Sequence, residues 1–342
     1  MKKHLLITLI LIMSLLLSGC GITRAYMSGD TMLTPYGAFW HEGRQIGLYS
    51  DRSSTRITRT VLTDVSEQVH IGTLDSGNAV YDEKSGRLWY TEKHKLMSCL
   101  PDCSDEKLEK RVRTKVKRDR MSIAYAEDGL LIIKISYGSI EGIGKNLVFK
   151  LSFPSESYML YDTASGELTQ LIAEEGSGIA PAFLSIEDGT IWFLQLDPAS
   201  QTYGLYSMKT DGTGRTLLSE LGTDLDIPSA TGASAGRNLY FCCGGLWRWN
   251  ETSGLTSCSP ALENGGSAQD PMILRSSSDD LYVLFRGPGE VYDDYLYRWI
   301  PEEDRAEPAS PENYAMASGM SFAGGDLSIW RPSEILEAKI AD

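Results

Sequence analysis

The chain has 342 residues, 42% of them hydrophobic, with 32 Lys and Arg against 46 Asp and Glu and a net charge of −14. This composition excludes a disordered, collagen-like or multi-span membrane chain, and the acidic balance argues against nucleic acid as a partner. The 33 glycines and 17 tyrosines favour an all-β, turn-rich architecture over a helical one.

The N-terminus has the organisation of a signal peptide. Lys2 and Lys3 precede an apolar run from Leu5 to Leu17, which is shorter than the ~20 residues that a membrane-spanning helix needs. Residues 17–20, Leu-Ser-Gly-Cys, resemble the lipobox of bacterial lipoproteins, in which the cysteine is diacylated and becomes the new N-terminus. The resemblance implies a signal peptide over residues 1–19 and lipidation of Cys20.

Lipidation of Cys20 predicts where the protein lies. Two acyl chains give stable anchoring, whereas one chain alone is marginal. We therefore expect a cell-membrane protein, lipid-anchored on the extracytoplasmic face through diacylglyceryl on Cys20. Residues 20–30 are predicted to be a lipidated tether that holds the body away from the bilayer.

One sequence pattern recurs seven times after the tether. Each copy is a turn rich in Gly and Asp, followed by an aliphatic residue and an aromatic or aliphatic pair. The aliphatic positions, spaced by about 40 to 60 residues, are Ile46, Leu88, Leu130, Ile191, Leu239, Leu281 and Leu327. A second element, a short strand running into a turn, follows several copies and begins at Leu160, Leu205, Leu246 and Leu296.

Short strands with tight turns at this spacing are typical of propeller blades. We predict an all-β β-propeller of seven blades over residues 31–332, followed by a C-terminal tail over 333–342. Six or eight blades, or one or two large β-sandwiches, are the alternatives. The longest interval is assigned to a loop insertion around Ser136 to Asn146, because its three glycines suit a loop.

Residues 205–212, Leu-Tyr-Ser-Met-Lys-Thr-Asp-Gly, resemble the blade turn of TolB-like propellers, including propeller lipoproteins of Gram-positive bacteria. The resemblance runs over most of residues 31–332, and its motifs are structural. Cys99-Leu100-Pro101-Asp102-Cys103 is also similar to a cysteine motif of clostridial surface proteins, with shortened spacing and without the histidine. These resemblances imply ligand or partner binding.

Five cysteines remain if Cys20 is lipidated. Cys99 and Cys103 could close a small loop, and Cys258 could pair with Cys242 or Cys243, whose side chains point to opposite faces if both lie on one strand. The alternative is a zinc site that includes His94, Cys99 and Cys103. A second convincing pair of ligands is missing, so we predict no metal and no cofactor.

Two motifs suggest enzymes without completing a site. Residues 232–236, Gly-Ala-Ser-Ala-Gly, match a nucleophile elbow, but every histidine precedes Ser234 and the segment runs into a repeat strand. Residues 185–192 resemble the sialidase Asp-box, which in that family is a hairpin brace remote from catalysis. Neither motif predicts catalytic residues.

Charged segments offer weaker candidates. The pairs Asp279-Asp280 and Asp293-Asp294 could perform acid and base chemistry on a glycoside, although acidic pairs in hairpin turns are common. The basic run from Lys107 to Arg120 suits either anionic polymers or an outer edge strand that is protected from aggregation by lysines. We favour solvated turns and an edge strand.

The hairpin around residue 290 supplies the predicted ligand site. Exposed tyrosines beside aspartates stack on sugar rings and bond their hydroxyls. The predicted ligand-binding residues are Tyr292, Asp293, Asp294 and Tyr295.

Together these features predict a cell-surface, non-catalytic module that binds a ligand or another protein, with a cell-envelope glycan or a protein as partner. The first alternative is a polysaccharide-active glycosidase or lyase that uses carboxylates in the channel. The second is a scaffold subunit of a membrane complex.

Overall fold

The computed structural model describes residues 33–51, 59–116, 118–143, 148–176, 180–223, 225, 227, 230–258, 271–275, 280–286, 294–303, 305–314, 317–323, 326–331, 334–338 and 340. Within these ranges the regular structure is all β. Twenty-seven strands form seven antiparallel sheets, each built from strands that are consecutive in the chain. The chain is a seven-bladed β-propeller, as predicted.

The first four blades are complete four-stranded sheets. Blade 1 is β1 (Leu33–His41), β2 (Arg44–Asp51), β3 (Arg59–Asp64) and β4 (Val69–Leu74). Blade 2 is β5 (Ala79–Asp82), β6 (Arg87–Glu92), β7 (Lys95–Cys99) and β8 (Lys107–Arg111). Blade 3 is β9 (Arg120–Glu127), β10 (Leu130–Ile143), β11 (Val148–Asp162) and β12 (Leu168–Gly176). Blade 4 is β13 (Ala182–Glu187), β14 (Thr190–Asp197), β15 (Thr202–Lys209) and β16 (Thr216–Gly222).

The last three blades follow the same order. Blade 5 is β17 (Thr231–Ala235), β18 (Asn238–Cys242), β19 (Leu246–Asn250) and β20 (Gly254–Cys258). Blade 6 is β21 (Met272–Arg275), β22 (Leu281–Arg286), β23 (Asp294–Ile300) and β24 (Arg305–Asn313). In the described residues, blade 7 has three strands, β25 (Gly319–Ala323), β26 (Asp326–Arg331) and β27 (Glu334–Glu337). The seventh sheet thus continues past residue 332, where the sequence analysis ends the propeller.

The repeat read from the sequence corresponds to one strand position. Its seven aliphatic residues all lie on the second strand of their blade, and six of them are buried. The four copies of the second element lie on the third strands β11, β15, β19 and β23. Each repeat therefore marks one blade because its apolar side chains fill the space between neighbouring sheets.

The core is divided among the seams between blades. Seven clusters of buried side chains are found in the described residues, and each joins one blade to the next. The seam between blades 7 and 1 is the smallest, with Ala38, Tyr49 and Ile335 at its centre. Buried hydrogen bonds support this seam, since Gln45 donates to Ser328 Oγ at 2.7 Å and Ser321 donates to the Ala38 carbonyl at 2.6 Å.

The predicted loop insertion in blade 3 is wrong. Residues 136–143 continue β10, and β11 resumes at Val148, with paired register from Ser139 opposite Ser152 to Ile143 opposite Val148. Gly138 and Gly142 lie in a long hairpin with a bulge after Tyr137, and Gly144 falls outside the described residues. Two-stranded pairing satisfies the backbone polar groups that an open loop would leave to water.

Gly212 shows why the TolB-like turn ends in glycine. Its backbone has φ +82°, a conformation that L side chains rarely adopt. A Cβ at this position would lie 2.2 Å from the carbonyl oxygen of Gln170 in blade 3. The turn is therefore a contact between blades 3 and 4 as well as a connection within blade 4.

Candidate functional site

The main cavity lies on the propeller axis. Its volume is about 910 Å³, and residues from the inner strands of blades 2 to 7 line it. The inner strands end at this cavity, on the face of the propeller that carries the turns between the first and second strands of each blade. The acidic residues of the lining are Asp82, Glu83, Glu127, Asp128, Asp162, Glu187 and Asp188. The basic residue Lys84 also lines the cavity. We call this cavity the axial funnel.

Two hairpins deliver identical tripeptides to the funnel. Glu127-Asp128-Gly129 and Glu187-Asp188-Gly189 each place the glutamate at the end of the inner strand and the other two residues in the turn. Both turn residues have positive φ in each hairpin. This is the backbone of a type I′ turn, which matches the twist of the strands and favours Asp-Gly. Local sequence therefore fixes both carboxylates at the rim.

Asp82, at the end of the inner strand of blade 2, joins two blades. Its carboxylate accepts a hydrogen bond from the Gly129 N–H of blade 3 at 3.0 Å and another from the Ser85 N–H at 3.1 Å. The residue is 5% exposed. Both oxygens thus satisfy backbone donors, and we assign this carboxylate to the scaffold.

Glu127 has the same role between blades 3 and 4. One of its oxygens, Oε2, accepts hydrogen bonds from the Ile186 N–H at 2.5 Å, the Ser185 hydroxyl at 3.3 Å and the Tyr125 hydroxyl at 3.0 Å. Tyr125 also contacts the Leu184 carbonyl of blade 4 at 2.9 Å. The carboxylate is therefore part of the seam.

Glu187, at the same position in blade 4, is placed differently. It is half-buried, and it lines both the axial funnel and a second cavity of about 510 Å³. At this level the seam between blades 4 and 5 is bridged by the hydroxyls of Ser185 and Ser234, which lie 2.9 Å apart. Glu187 is thus the carboxylate common to the two cavities.

The second cavity, which we call the side cavity, adds basic groups to this face. Its lining includes Arg237, Asn238, Asp280, Arg298 and Trp299 from blades 5 and 6. Arg298 donates a hydrogen bond to Asp280, and this bond raises the pKa of the guanidinium above its usual value. Carboxylate, amide and guanidinium groups therefore converge within reach of one bound molecule.

The predicted ligand hairpin lies elsewhere. Tyr292 and Asp293 fall outside the described residues, and Asp294 and Tyr295 begin β23 on the face opposite the funnel. Asp294 is 6% exposed, and its Oδ2 accepts a hydrogen bond from the Ala317 N–H at 3.1 Å. Tyr295 packs against the cluster between blades 5 and 6. The two residues therefore contribute to packing in the structure.

Ser234 of the elbow-like motif is a strand residue. It lies on β17, is 2% exposed and contacts Ser185, and the motif turns directly into β18. Two histidines have other partners. His70 contacts Thr73, and His94 contacts Thr114 and the Asp119 carbonyl. The segment around Ser234 leads from one strand into another, whereas a nucleophile elbow leads from a strand into a helix.

The cysteines separate into two groups. Leu246, on the strand between them, is the register partner of Cys242 on one side and of Cys258 on the other. The Cα atoms of the two cysteines are therefore roughly 10 Å apart, beyond the ~7 Å reach of a disulfide. Cys243 directly follows β18, and its side chain packs into a different seam from that of Cys242. Cys99 and Cys103 lie next to each other in blade 2.

The zinc alternative finds no support in the geometry. His94 precedes β7 and Cys99 ends it, so the strand holds them roughly 17 Å apart. Within the described ranges, no three His, Cys, Asp or Glu side chains are grouped to hold a metal ion. The basic run includes β8, the outer edge strand of blade 2, with Lys107 paired to Asp105.

A search for membrane-spanning helices gave no candidate in the part of the chain that the structure describes. No protein-family model matches the sequence, and neither does any curated protein.

Solved structures do match the fold. A puromycin-hydrolysing peptidase of Mycobacterium tuberculosis has a TM-score of 0.55 at 11% identity, covering 94% of this chain and 55% of that one. The acylaminoacyl peptidase of Pyrococcus horikoshii has a TM-score of 0.54 at 10% identity, covering 91% and 52%. The β-propeller domain of the Trilobed protease from Pyrococcus furiosus, described as having an open velcro topology, has a TM-score of 0.54 at 9% identity, covering 92% and 97%.

The chain thus has a seven-bladed β-propeller fold that is similar to these solved structures. It spans about half the length of the two full peptidases. In the described residues each of its blades is formed by consecutive strands, and blade 7 takes no strand from the N-terminal part. The prediction of a non-catalytic binding or interaction module is wrong, because these similar structures are peptidases or part of one.

The residues of this candidate site were not identified from the sequence. Asp82, Glu127 and Glu187 each precede a turn, where acidic residues are common, so their type alone gave no signal. Arg237 and Arg298 are 61 residues apart in number and meet only at the side cavity. The one local signal was the repeated Glu-Asp-Gly, since two copies of a turn in successive blades must lie side by side around the axis.

Proposed function

We propose that the chain is an enzyme that cleaves glycosidic bonds in oligosaccharides, with its active site where the axial funnel meets the side cavity. The observation that carries the proposal is the position of Glu187, which lines both cavities. Asp82 and Glu127, at the same strand position, hold the neighbouring blade. Glu187 is the one of these three carboxylates that lines both cavities, so it can meet a substrate that spans them.

The groups around Glu187 suit a sugar. Carboxylates and the Asn238 amide can bond ring hydroxyls, and the guanidinium groups of Arg237 and Arg298 can bind the carboxylate of an acidic sugar. Glu187 would move the proton. In a lyase it would take the proton from the carbon beside the sugar carboxylate, and a carbon–carbon double bond would form as the glycosidic oxygen leaves. In a hydrolase it would give a proton to the leaving glycosidic oxygen while water adds to the sugar carbon.

The propeller face also suits an extended substrate. A funnel of about 910 Å³ and a side cavity of about 510 Å³, both lined by Glu187, together have room for more than one sugar ring. The bond to be cleaved would lie next to Glu187, with one end of the oligosaccharide in each cavity. Lipidation at Cys20, which lies outside the described residues, would place this face at the cell surface, where envelope glycans are found.

The test is an activity screen on the full chain with neutral and uronate-containing oligosaccharides, reading both new reducing ends and unsaturated uronate. We expect cleavage of at least one substrate by the parent protein. Glu187→Gln should lose that activity. Glu220→Gln is the matched control, because Glu220 is exposed on β16, the outer strand of the same blade. Absence of cleavage across the panel, or full activity of Glu187→Gln, would overturn the proposal.

A further inference from the structure

The loop between β7 and β8 holds two cysteines in one tight turn. Cys99 ends β7, and Cys103 follows four residues later. The Leu100 N–H donates to the Ser104 carbonyl at 2.9 Å, and the Cys103 N–H donates to the Leu100 carbonyl at 2.9 Å. Cys103 has φ +63°. This closed turn brings the two cysteines together, since Cys103 packs against the buried cluster that contains Cys99.

We propose that Cys99 and Cys103 form a reversible disulfide by exchange with an external disulfide. The two thiols differ in access, because Cys99 is completely buried and Cys103 is half-buried. Cys103 is therefore the thiol that an external reagent reaches. Cys99 is the thiol that completes the reaction from inside.

The exchange has two balanced steps. The Cys103 thiol loses its proton, and its thiolate attacks one sulfur of the external disulfide, forming a mixed disulfide and releasing one thiolate. The Cys99 thiolate then attacks the Cys103 sulfur and releases the second external thiolate. The two protons from the cysteines end on the two released thiols, and the external disulfide is reduced while the cysteine pair is oxidised.

The surroundings favour this order of attack. The hydrogen bond from Cys99 is the largest influence on Cys103 and lowers its pKa, although burial, Asp102 and Glu106 oppose the change. The pKa of Cys99 is raised by the same bond and by burial. Cys103 is therefore the better nucleophile of the pair at neutral pH.

The pair lies at the seam between blades 1 and 2. A Cβ on Gly72, in the outer strand of blade 1, would lie only 2.4 Å from the Cys103 sulfur. Cys99 belongs to the buried cluster that joins the two blades, and Cys103 packs against that cluster. A disulfide here would fasten the β7–β8 loop where it touches the neighbouring blade.

The cysteines of blade 5 form a natural control. Cys242, Cys243 and Cys258 are all buried. The strand β19 separates Cys242 from Cys258, and burial raises the pKa of Cys242. These three thiols should stay reduced under conditions that oxidise the blade 2 pair.

The test treats the reduced full chain with oxidised glutathione, blocks the remaining thiols by alkylation, and digests with trypsin. Both cysteines fall in one expected peptide, Leu96 to Lys107. We expect this peptide to lose two hydrogens, and the internal disulfide to exceed the glutathione adduct by about tenfold or more. Persistent glutathione on Cys103, or an unoxidised peptide after full treatment, would overturn the proposal.

Two variants separate the steps. Cys99→Ser should trap glutathione on Cys103, because the second attack has no thiol. Cys258→Ser should oxidise as the parent protein does. A Cys103→Ser variant that stays folded by circular dichroism keeps only the buried thiol of Cys99. A glutathione adduct on Cys99 in this variant would contradict the assigned order of attack.

Discussion

Blades 3 and 4 carry the same tripeptide at the same place and use it differently. In blade 3, Glu127 accepts the Ile186 N–H and the Ser185 hydroxyl of the next blade. In blade 4, Glu187 borders both cavities, and a pair of serine hydroxyls bridges to blade 5. The role of a carboxylate in this propeller therefore depends on what the following blade presents to it.

This comparison divides the acidic face into scaffold and site. Asp82 and Glu127 should matter for stability because they hold the neighbouring blade, and Glu187 should matter for chemistry because it borders both cavities.

The largest effect is expected at Glu187. On a substrate that the parent protein cleaves, Glu187→Gln should lower the turnover by about 100-fold or more, because the amide keeps the shape and cannot transfer the proton. The free energy of unfolding should change by less than about 1 kcal/mol. Steady-state kinetics and urea unfolding measure the two. A large loss of stability with little loss of turnover would show that Glu187 has a structural role and not a catalytic one.

Asp82→Ala tests the scaffold assignment. It leaves the N–H groups of Gly129 and Ser85 without the carboxylate, so we expect a loss of about 3 kcal/mol in the free energy of unfolding. Asp75→Ala is the matched control, because Asp75 is 71% exposed in its ion pair with Arg59 and should cost well under 1 kcal/mol. Equal effects of the two changes would refute the blade-joining role.

Ser234→Ala tests the serine bridge. It removes the 2.9 Å contact with Ser185 from a buried seam, and we expect a loss of about 1 kcal/mol in the free energy of unfolding. Turnover should stay at the parent level, because Ser234 lies within a strand. Abolished turnover in a variant of parent stability would instead favour a nucleophilic serine.

Asp162 gives the smallest effect, and it depends on pH. Its carboxylate, at the funnel rim, accepts the Ala164 N–H at 2.8 Å, which lowers its pKa although burial opposes the shift. A lowered folded-state pKa stabilises the fold at pH values above the unfolded pKa of about 3.9, and this contribution is lost as pH falls through the folded pKa.

Asp162→Asn should therefore cost less than about 1 kcal/mol at neutral pH, and its difference from the parent should shrink below about pH 4. Urea unfolding of both proteins across this range measures the difference. A difference that grows on acidification would contradict the sign of the pKa shift.

The fold could be predicted from the sequence because each blade repeats its own local pattern. An aliphatic residue such as Leu88 or Leu239 recurs on the second strand, and Gly and Asp mark the turn before it. These are short-range signals. The hairpin of blade 3 was misread as a loop, because glycines suit both a loop and a bulged ribbon, and pairing between β10 and β11 is decided across the hairpin.

The candidate site could not be predicted in the same way. Arg237 and Arg298 come from different blades, and the ligand prediction fell on the opposite face, at Asp294 and Tyr295, because exposed aromatic and acidic residues in a turn look the same wherever the turn lies. Only the arrangement of the blades in the ring brings residues as distant in sequence as Arg237 and Arg298 to one cavity.

The sequence by itself determined the seven repeats, the strand that each repeat occupies and the turns that position Glu127 and Glu187, because these depend on neighbours a few residues away. The tertiary structure alone decided that one glutamate holds a seam and the other borders two cavities. The reason is physical. Which cavities a carboxylate borders depends on the blade beside it, and no local pattern contains that blade.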